Sequence, residues 1–355
     1  MRNESKEYYL AWNDFAAGKM IKPTVSIIIP CLNEVNNIRS LLDALRVQTY
    51  PSNLMEIVIA DAFSTDGTRE EIGKFQSQHS ELKCKIVDNP KKIIPSGLNV
   101  AIRNSRGEII IRLDAHSAPN SYYIERSVQD LLDGKGDNVG GVWQIRPGNE
   151  TWIARSIAVA ASHPVGVGDA MYRHSDKAAS VDTVPFGAFR RELVGKVGEF
   201  DETLLTNEDY EFNTRIRKQG GVVWLDPEIR SNYKARADLS SLSKQYYRYG
   251  FWKWQMLRRY PGTVRWRQLL PPVFVFSLFG LFVGSIFKPY ILLALILEIL
   301  AYGLILMVVI FPRAIREKAG WLLVGFPLSV ATMHLSWGTG FLFSIFTFRR
   351  REILT

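Results

Sequence analysis

The chain has 355 residues, 47% of them hydrophobic, and a formal net charge of +9, a length that fits one large domain or two small ones. Two cysteines, Cys31 and Cys84, give neither a disulfide framework nor zinc spacing, so a reducing cytosolic face is expected. The positive charge is local, and it lies beside long apolar stretches, which argues against a nucleic-acid-binding protein.

Met1 to Lys22 is polar and mixed, lacks the apolar core of a signal peptide, and reads as a surface arm. Val25-Ser26-Ile27-Ile28-Ile29 is a short apolar run suited to a strand covered on both faces. Asn36 or Asn37 can cap a helix whose Ile38, Leu41, Leu42 and Leu45 fall at i, i+3, i+4 and i+7, and Pro51 ends that segment. Ile57-Val58-Ile59 and Lys85-Ile86-Val87 are the next strands, Ser96 to Ile102 a helix, and Ile109-Ile110-Ile111-Arg112-Leu113 another buried strand. This alternation predicts an α/β fold with a mostly parallel sheet and helices on both faces.

From Asp133 to Thr183 the pattern is weaker: Gly134, Gly136, Gly140 and Gly141 mark turns, and Val142-Trp143-Gln144-Ile145 reads as a strand. Glu192 to Val197 and Asp209 to Lys218 are short helices, the second stopped by Gly220-Gly221, and Val222 to Leu225 is a late strand. No acidic residue occurs between Asp238 and Glu298. That stretch interleaves Lys244, Arg248, Lys253, Arg258, Arg259, Arg265 and Arg267 with tyrosine and tryptophan, as expected of an interfacial helix on anionic lipid.

Three apolar stretches follow, at about 269–287, 290–311 and 320–346, each meeting or nearing the ~20 residues that cross a bilayer. The positive-inside rule puts Arg258 to Arg267 and Arg313-Arg316-Lys318 on the cytosolic side, joined by two spans. A full third crossing would place Arg349-Arg350-Arg351 outside, against their charge. Gly338 and Gly340, with His334 and Ser336, would instead allow a re-entrant or broken helix. Glu298 falls inside the second span, as a functional group or a packed, protonated one. The expected domains are an arm at 1–23, a catalytic domain at 24–238, an interfacial helix at 239–268 and a membrane domain at 269–355.

Carboxylates stand at three strand ends. The first strand runs into Pro30-Cys31-Leu32-Asn33-Glu34, the second into Asp61 and Ser64-Thr65-Asp66-Gly67-Thr68, and the strand at Ile109 into Asp114-Ala115-His116. Asp66, with Gly67 and Thr68 behind it, reads as a turn residue. Ligands of open α/β sheets bind at the carboxyl ends of the strands, and residues two apart on an extended segment point the same way. Asp114 and His116 can therefore share a divalent cation able to neutralise a diphosphate. The dinucleotide Gly-x-Gly-x-x-Gly fingerprint, the Walker A loop and the Gly-x-Ser-x-Gly elbow are all absent, which disfavours dehydrogenase, P-loop and serine-hydrolase chemistry.

These motifs, together with Gly97-Leu98-Asn99, Gly187 to Arg191, Val197 to Asp201 and Asn207-Glu208-Asp209, resemble glycosyltransferase family 2 of the GT-A fold over about residues 24–235. The chain is most similar to bacterial succinoglycan-type exopolysaccharide glucosyltransferases. The resemblance implies an inverting hexosyltransferase that moves a sugar, glucose above all, from a UDP-sugar to a polyprenyl-diphosphate-linked acceptor. Pro30, Glu34, Asp61, Gly97, Asn99 and Asp114 would bind the nucleotide sugar, with Arg236 or Arg248 offsetting charge on the leaving group. Asp114 and His116 occupy the family's Asp-x-Asp position and would hold Mn²⁺ or Mg²⁺; histidine for the second aspartate leaves the preferred ion open. Asp209 fits the general base, with Glu208 the adjacent candidate.

The expected partners are donor, lipid-linked acceptor, membrane lipid and other polysaccharide-assembly proteins, with no nucleic acid, at the cytosolic face of the inner membrane. Gln245-Tyr246-Tyr247-Arg248-Tyr249 also approaches the Gln-x-x-Arg-Trp signature of processive synthases. A processive synthase or polyprenyl-phosphate glycosyltransferase is thus the alternative enzyme, and a non-catalytic membrane-anchored nucleotide-sugar-binding protein the alternative of another class.

Overall fold

The computed structural model describes residues 22–263 and 265–352. All but the end of the expected N-terminal arm lies outside these residues, as do the side chains of Arg349-Arg350-Arg351. The described chain forms two compact units. The first runs to Trp143 and resumes over Ser175–Asn232; the second comprises Gln144–His174 and the chain from Tyr233 onward.

In the first unit the apolar runs become strands β1 (Val25–Cys31), β2 (Met55–Asp61), β3 (Lys83–Asp88) and β4 (Ile109–Arg112), paired in parallel in the order β3-β2-β1-β4. Ile27 lies opposite Ile57 on one side and Ile111 on the other, and β1 is buried along its whole length. Helices α1 (Ile38–Arg46), α2 (Thr68–Gln78) and α3 (Ile94–Arg103) connect them, and α1 buries Ile38, Leu41, Leu42 and Leu45 as their spacing predicts. Its expected asparagine cap does not form. The Asn37 amide donates instead to Glu34 Oε2 at 2.7 Å, and the Glu34 carbonyl accepts the first N–H groups.

Beyond β4 the sheet becomes antiparallel. After β5 (Ala118–Pro119), α4 (Tyr123–Leu132) and β6 (Asn138–Arg146), the chain returns as β7 (Ala179–Ser180), β8 (Ala188–Arg190), α7 (Arg191–Val197), α8 (Glu208–Lys218) and β9 (Val223–Lys234). The order continues β4-β8-β6-β9-β5, with β7 on β9, and β8 is antiparallel to both β4 and β6. Strands of two or three residues carry no periodic signal of their own, so the mixed half of the sheet was not legible as such.

The second unit is helical: α5 (Trp152–Ala161), α6 (Pro164–Val167), α9 (Leu239–Arg259), α10 (Trp266–Phe287), α11 (Ile291–Arg316) and α12 (Leu322–Glu352). Residues 144–174, part of the expected catalytic domain at 24–238, group with the C-terminal helices. Ile157 and Ala160 of α5 share one apolar cluster with Leu306, Ile310, Phe326, Val330 and Met333. α9 buries Leu242, Tyr246, Met256 and Leu257, while Lys244, Arg248, Arg258 and Arg259 stay exposed. Lys253, expected on the basic surface, is buried.

Among the described residues two helices, α10 and α11, are long and apolar enough to cross a membrane; the third expected stretch, 320–346, is not one of them. α12 runs unbroken through Gly338 and Gly340, so the broken-helix reading fails. These glycines serve close packing instead: a Cβ on Gly338 would lie 2.5 Å from the Pro271 carbonyl oxygen, and one on Gly340 would lie 2.2 Å from that of Tyr247. Gly250 of α9 is equally tight, 2.0 Å from the Trp337 carbonyl oxygen. Small residues at such crossings let helix backbones touch. Inside α11, Glu298 accepts from Ser277 Oγ at 2.5 Å through Oε1.

Candidate functional site

Strand β4 carries Arg112 at its carboxyl end. Beyond Arg112 the chain is not the extended segment expected from the sequence: Ala115 and His116 lie in a turn that the Ser117 N–H closes on the Asp114 carbonyl at 2.9 Å. The Arg112 backbone N–H is fixed by the Gly187 carbonyl at 3.1 Å, and its guanidinium lies 6.0 Å from the centre of the Phe186 ring. Phe186 has a left-handed backbone, φ +52°, uncommon for so bulky a residue and sustained only where the surroundings impose it. Those surroundings are Trp143, ring to ring at 5.6 Å, and the Tyr123 hydroxyl, which donates to the Phe186 carbonyl at 3.2 Å.

One buried guanidinium gathers three carboxylates. Arg112 Nη2 donates to Asp114 Oδ1 at 3.1 Å and to Glu208 Oε1 at 2.8 Å, while Nη1 donates to Asp209 Oδ1. Burial opposes the charge on Arg112, but Asp209, Asp114 and Glu208 more than offset that and hold it firmly protonated. Burial also pushes Asp209 up to about 7; Glu208 and Asp114 push the same way, and Arg112 opposes them. The Asp209 side chain is 24% exposed against 11% for Glu208, so Asp209 is the more open of the two.

Glu208 and Asp209 open α8, which is held along its length. Asn213 is buried and bonded to Asn138, Thr183 and Val184, and Arg215 pairs with Glu211 and caps the carbonyls of Gly198 and Glu199. Asn99 of α3 fixes the preceding loop. Its Nδ2 donates to the Phe200 carbonyl at 2.9 Å and to Glu202 at 3.0 Å, and its Oδ1 accepts the Phe200 N–H at 2.9 Å. Asn99 therefore reaches the carboxylates through that loop.

The other expected donor-binding residues cluster at the ends of β1 and β2. Pro30 is buried, and a Cβ on Gly97 would meet Pro30 at 3.2 Å and Asn89 at 3.0 Å, so helix-to-strand packing alone calls for glycine there. Asp61 is fully buried; Ser64 and Arg69 bond its oxygens, and Arg69 reaches on to Asp88 at 2.5 Å. The loops after β1 and β2 interlock: Asn33 accepts from Thr65 N–H, Thr68 Oγ1 from Glu34 N–H, and Asp66 from Val35 N–H. Asp66 also takes the N–H of Thr68 in the first turn of α2.

His116 is exposed, with Nδ1 3.2 Å from Glu34 Oε1. With the proton on Nδ1, Nε2 holds the lone pair that a cation takes, the familiar backing of a metal-ligating histidine by a carboxylate. Asp114 offers Oδ2, to which no described residue donates. Among the described residues no group of three or more His, Cys, Asp or Glu could hold a metal ion. The donor set fits a divalent cation that takes its remaining ligands from phosphate and water. Arg236 and Arg248 belong to the second unit, where Arg236 donates to Gln245 Oε1 at 3.3 Å and Arg248 is exposed on α9. Gln245 Nε2 bonds the hydroxyls of Tyr233 and Tyr249.

The sequence reading missed Arg112 and Phe186. A signal for the first existed: an arginine inside an apolar strand, two residues before Asp114.

Comparison with known proteins agrees with this architecture. The profile of Glycosyl transferase family 2 matches residues 26–198. The succinoglycan biosynthesis protein ExoA of Rhizobium meliloti (strain 1021) is 29% identical over 335 residues, 92% of this chain and 96% of its own. The dolichyl N-acetyl-alpha-D-glucosaminyl phosphate 3-beta-D-2,3-diacetamido-2,3-dideoxy-beta-D-glucuronosyltransferase of Methanococcus voltae is 30% identical, covering 77% of this chain and 85% of its own. Among solved structures, the Pyrobaculum calidifontis mannosyltransferase PcManGT, in complex with GDP-Man and Mn²⁺, superposes with a TM-score of 0.60. It shares 18% identity over 96% of each chain, and so speaks for the fold alone.

Proposed function

The chain belongs to glycosyl transferase family 2, and from that premise we propose that it is an inverting, metal-dependent hexosyltransferase. It takes glucose from UDP-glucose and places it on a polyprenyl-diphosphate-linked saccharide at the cytosolic face of the inner membrane. The observation that carries this reading is the gathering of Asp114 with Glu208 and Asp209 on one buried guanidinium. It puts a carboxylate suited to the donor's cation beside a carboxylate suited to the acceptor's proton. The near-full-length likeness to a succinoglycan biosynthesis protein supports the lipid-linked acceptor, and helices α10 and α11 support a multi-pass anchor.

Asp114 Oδ2 and the His116 ring would hold the cation. When bound, it supplies positive charge to the departing diphosphate. Asp209, with Oδ1 on Arg112, keeps Oδ2 for the acceptor hydroxyl and takes its proton as the acceptor oxygen bonds to the anomeric carbon and the bond to the diphosphate breaks. A base raised to about 7 is matched to work near neutral pH. Asn99 sets the approach to α8. Glu34 backs His116 and, with Asp61, Pro30 and Gly97, shapes the nucleotide end.

The test is incubation of the detergent-solubilised protein with a panel of UDP- and GDP-sugars, Mn²⁺ or Mg²⁺ and a lipid extract, with mass analysis of the lipids. A hexose added to a polyprenyl-linked saccharide from UDP-glucose is expected. Absence of any sugar-bearing lipid product from every donor would overturn the reading.

A further inference from the structure

Arg112 touches both halves of the proposed chemistry. Its Nη2 is shared between Asp114, at the end of β4, and Glu208, while Nη1 holds Asp209, 97 positions further along the chain. The side chain is almost wholly buried, its Nε finds no hydrogen-bond partner among the described residues, and the ring centre of Phe186, whose backbone is left-handed, lies 6.0 Å from its guanidinium carbon. A buried, imperfectly satisfied cation beside a left-handed phenylalanine is costly to maintain for structure alone. Three carboxylates at one place would repel one another without it.

We propose that Arg112 is the positioning residue of the transfer. Its planar fork fixes Asp209, rather than Glu208, as the carboxylate facing the acceptor and ties that orientation to Asp114. The inference rests on the transfer reading above and adds to it a residue acting through Asp209. The division of labour follows from the fork. Glu208, more deeply buried than Asp209, shares Nη2 with Asp114, which leaves it little freedom to turn outward. Asp209 takes Nη1 alone through one oxygen and keeps the other for a substrate. A lysine keeps the charge, but its ammonium is a point donor and cannot hold three carboxylates in fixed directions. Misplacing a reacting group by about 1 Å can cost ~100-fold.

Two measurements on the full chain in detergent decide the matter. In the first, Arg112→Lys is assayed for transfer with UDP-glucose and lipid acceptor. We expect kcat to fall about 100-fold while the donor KM stays within about threefold. A kcat within about threefold of wild type, or a donor KM that rises as far as kcat falls, overturns the proposal.

The second needs no turnover. Thermal unfolding at pH 8 is compared for wild type, Arg112→Met, Asp209→Asn and the double variant. Asp209→Asn should raise the Tm of Arg112→Met more than that of wild type, because it removes a buried carboxylate that has lost its cation. Equal shifts in the two backgrounds overturn the pairing. If Arg112→Met does not fold, Arg112→Gln takes its place in the cycle. Coupled Tm shifts in a protein that transfers no sugar from any donor would overturn the transfer reading while leaving the Arg112–Asp209 pairing intact, so the two failures can be told apart.

Discussion

In the first unit, buried or half-buried charges come in pairs: Arg112 with its three carboxylates, Arg69 with Asp61, Arg215 with Glu211, Arg126 with Asp226. In the second, α9, α10 and α12 approach backbone to backbone at Gly250, Gly338 and Gly340, beside an apolar cluster and a buried hydrogen bond from Gln255 to Ser344. A neutralised charge should therefore be felt most in the first unit, and an added methyl group in the second. Direction in the first unit comes from groups that must keep their protonation, whereas position in the second comes from volume.

The most severe test of the charge-based unit is removal of divalent metal. Chelation should abolish transfer, and Mn²⁺ should restore it, as read by lipid product formed per minute; full activity in excess chelator would break the assignment of Asp114 and His116. His116→Asp should keep activity and move the preference toward Mg²⁺, since imidazole favours the softer ion.

Next comes the base. Asp209→Asn preserves shape and loses basicity, so transfer should fall by about 10²–10⁴-fold, with UDP-sugar affinity by calorimetry nearly unchanged. Near-normal turnover would move the role to Glu208.

A size change then probes the helical unit. Gly250→Ala forces a Cβ to within 2.0 Å of the Trp337 carbonyl oxygen, and overpacking of this kind costs about 1–3 kcal/mol. Gly280→Ala on α10 meets nothing within 4 Å and should be neutral or mildly stabilising. Equal melting temperatures for the two variants would erase the contrast between the units.

The smallest effect is a pH slope. Burial and the neighbouring Asp226 push Asp130 up to about 7. A carboxyl group raised in the folded state contributes stability that is complete below its unfolded pKa and is lost as pH rises through about 7. Burial would raise Asp226 too, but the Glu228 N–H and Arg126 hold it low, so its own contribution is lost only in acid. Between pH 5 and pH 8, Asp130, together with Asp209, should lower the melting temperature of the wild type, by roughly 2–4 °C per kcal/mol. Asp130→Asn should flatten that slope and melt above wild type at pH 8; parallel curves would argue that Asp130 does not titrate there.

What could be read from the sequence was local. Ile27, Ile57 and Ile111 announced neighbouring buried strands, Ile38 to Leu45 announced α1, and the acids after β1, β2 and β4 pointed to one end of the sheet. What escaped depended on partners far along the chain. Arg112 looked like one polar interruption in an apolar run because its carboxylates stand nearly a hundred residues later. Gly338 and Gly340 looked like helix breakers because nothing local shows that Pro271 and Tyr247 press against them. α5 was too short to read as a span and too apolar for a loop, and only the cluster with Phe326 and Met333 explains it.

That last helix has a consequence for how the protein is made. Every residue of the first unit up to Asn232 precedes the first candidate span at Trp266, so its sheet can close while the rest of the chain is still being synthesised. α5 cannot settle so early. Ile157 must wait for Leu306 and Phe326, roughly 150 residues later, which at about 5–20 residues per second is a delay of roughly 10–30 s. Through that interval a ten-residue apolar helix stands without its partners. Slowed translation or a late insertion of α11 would lengthen its exposure, and aggregation of the nascent chain would begin there.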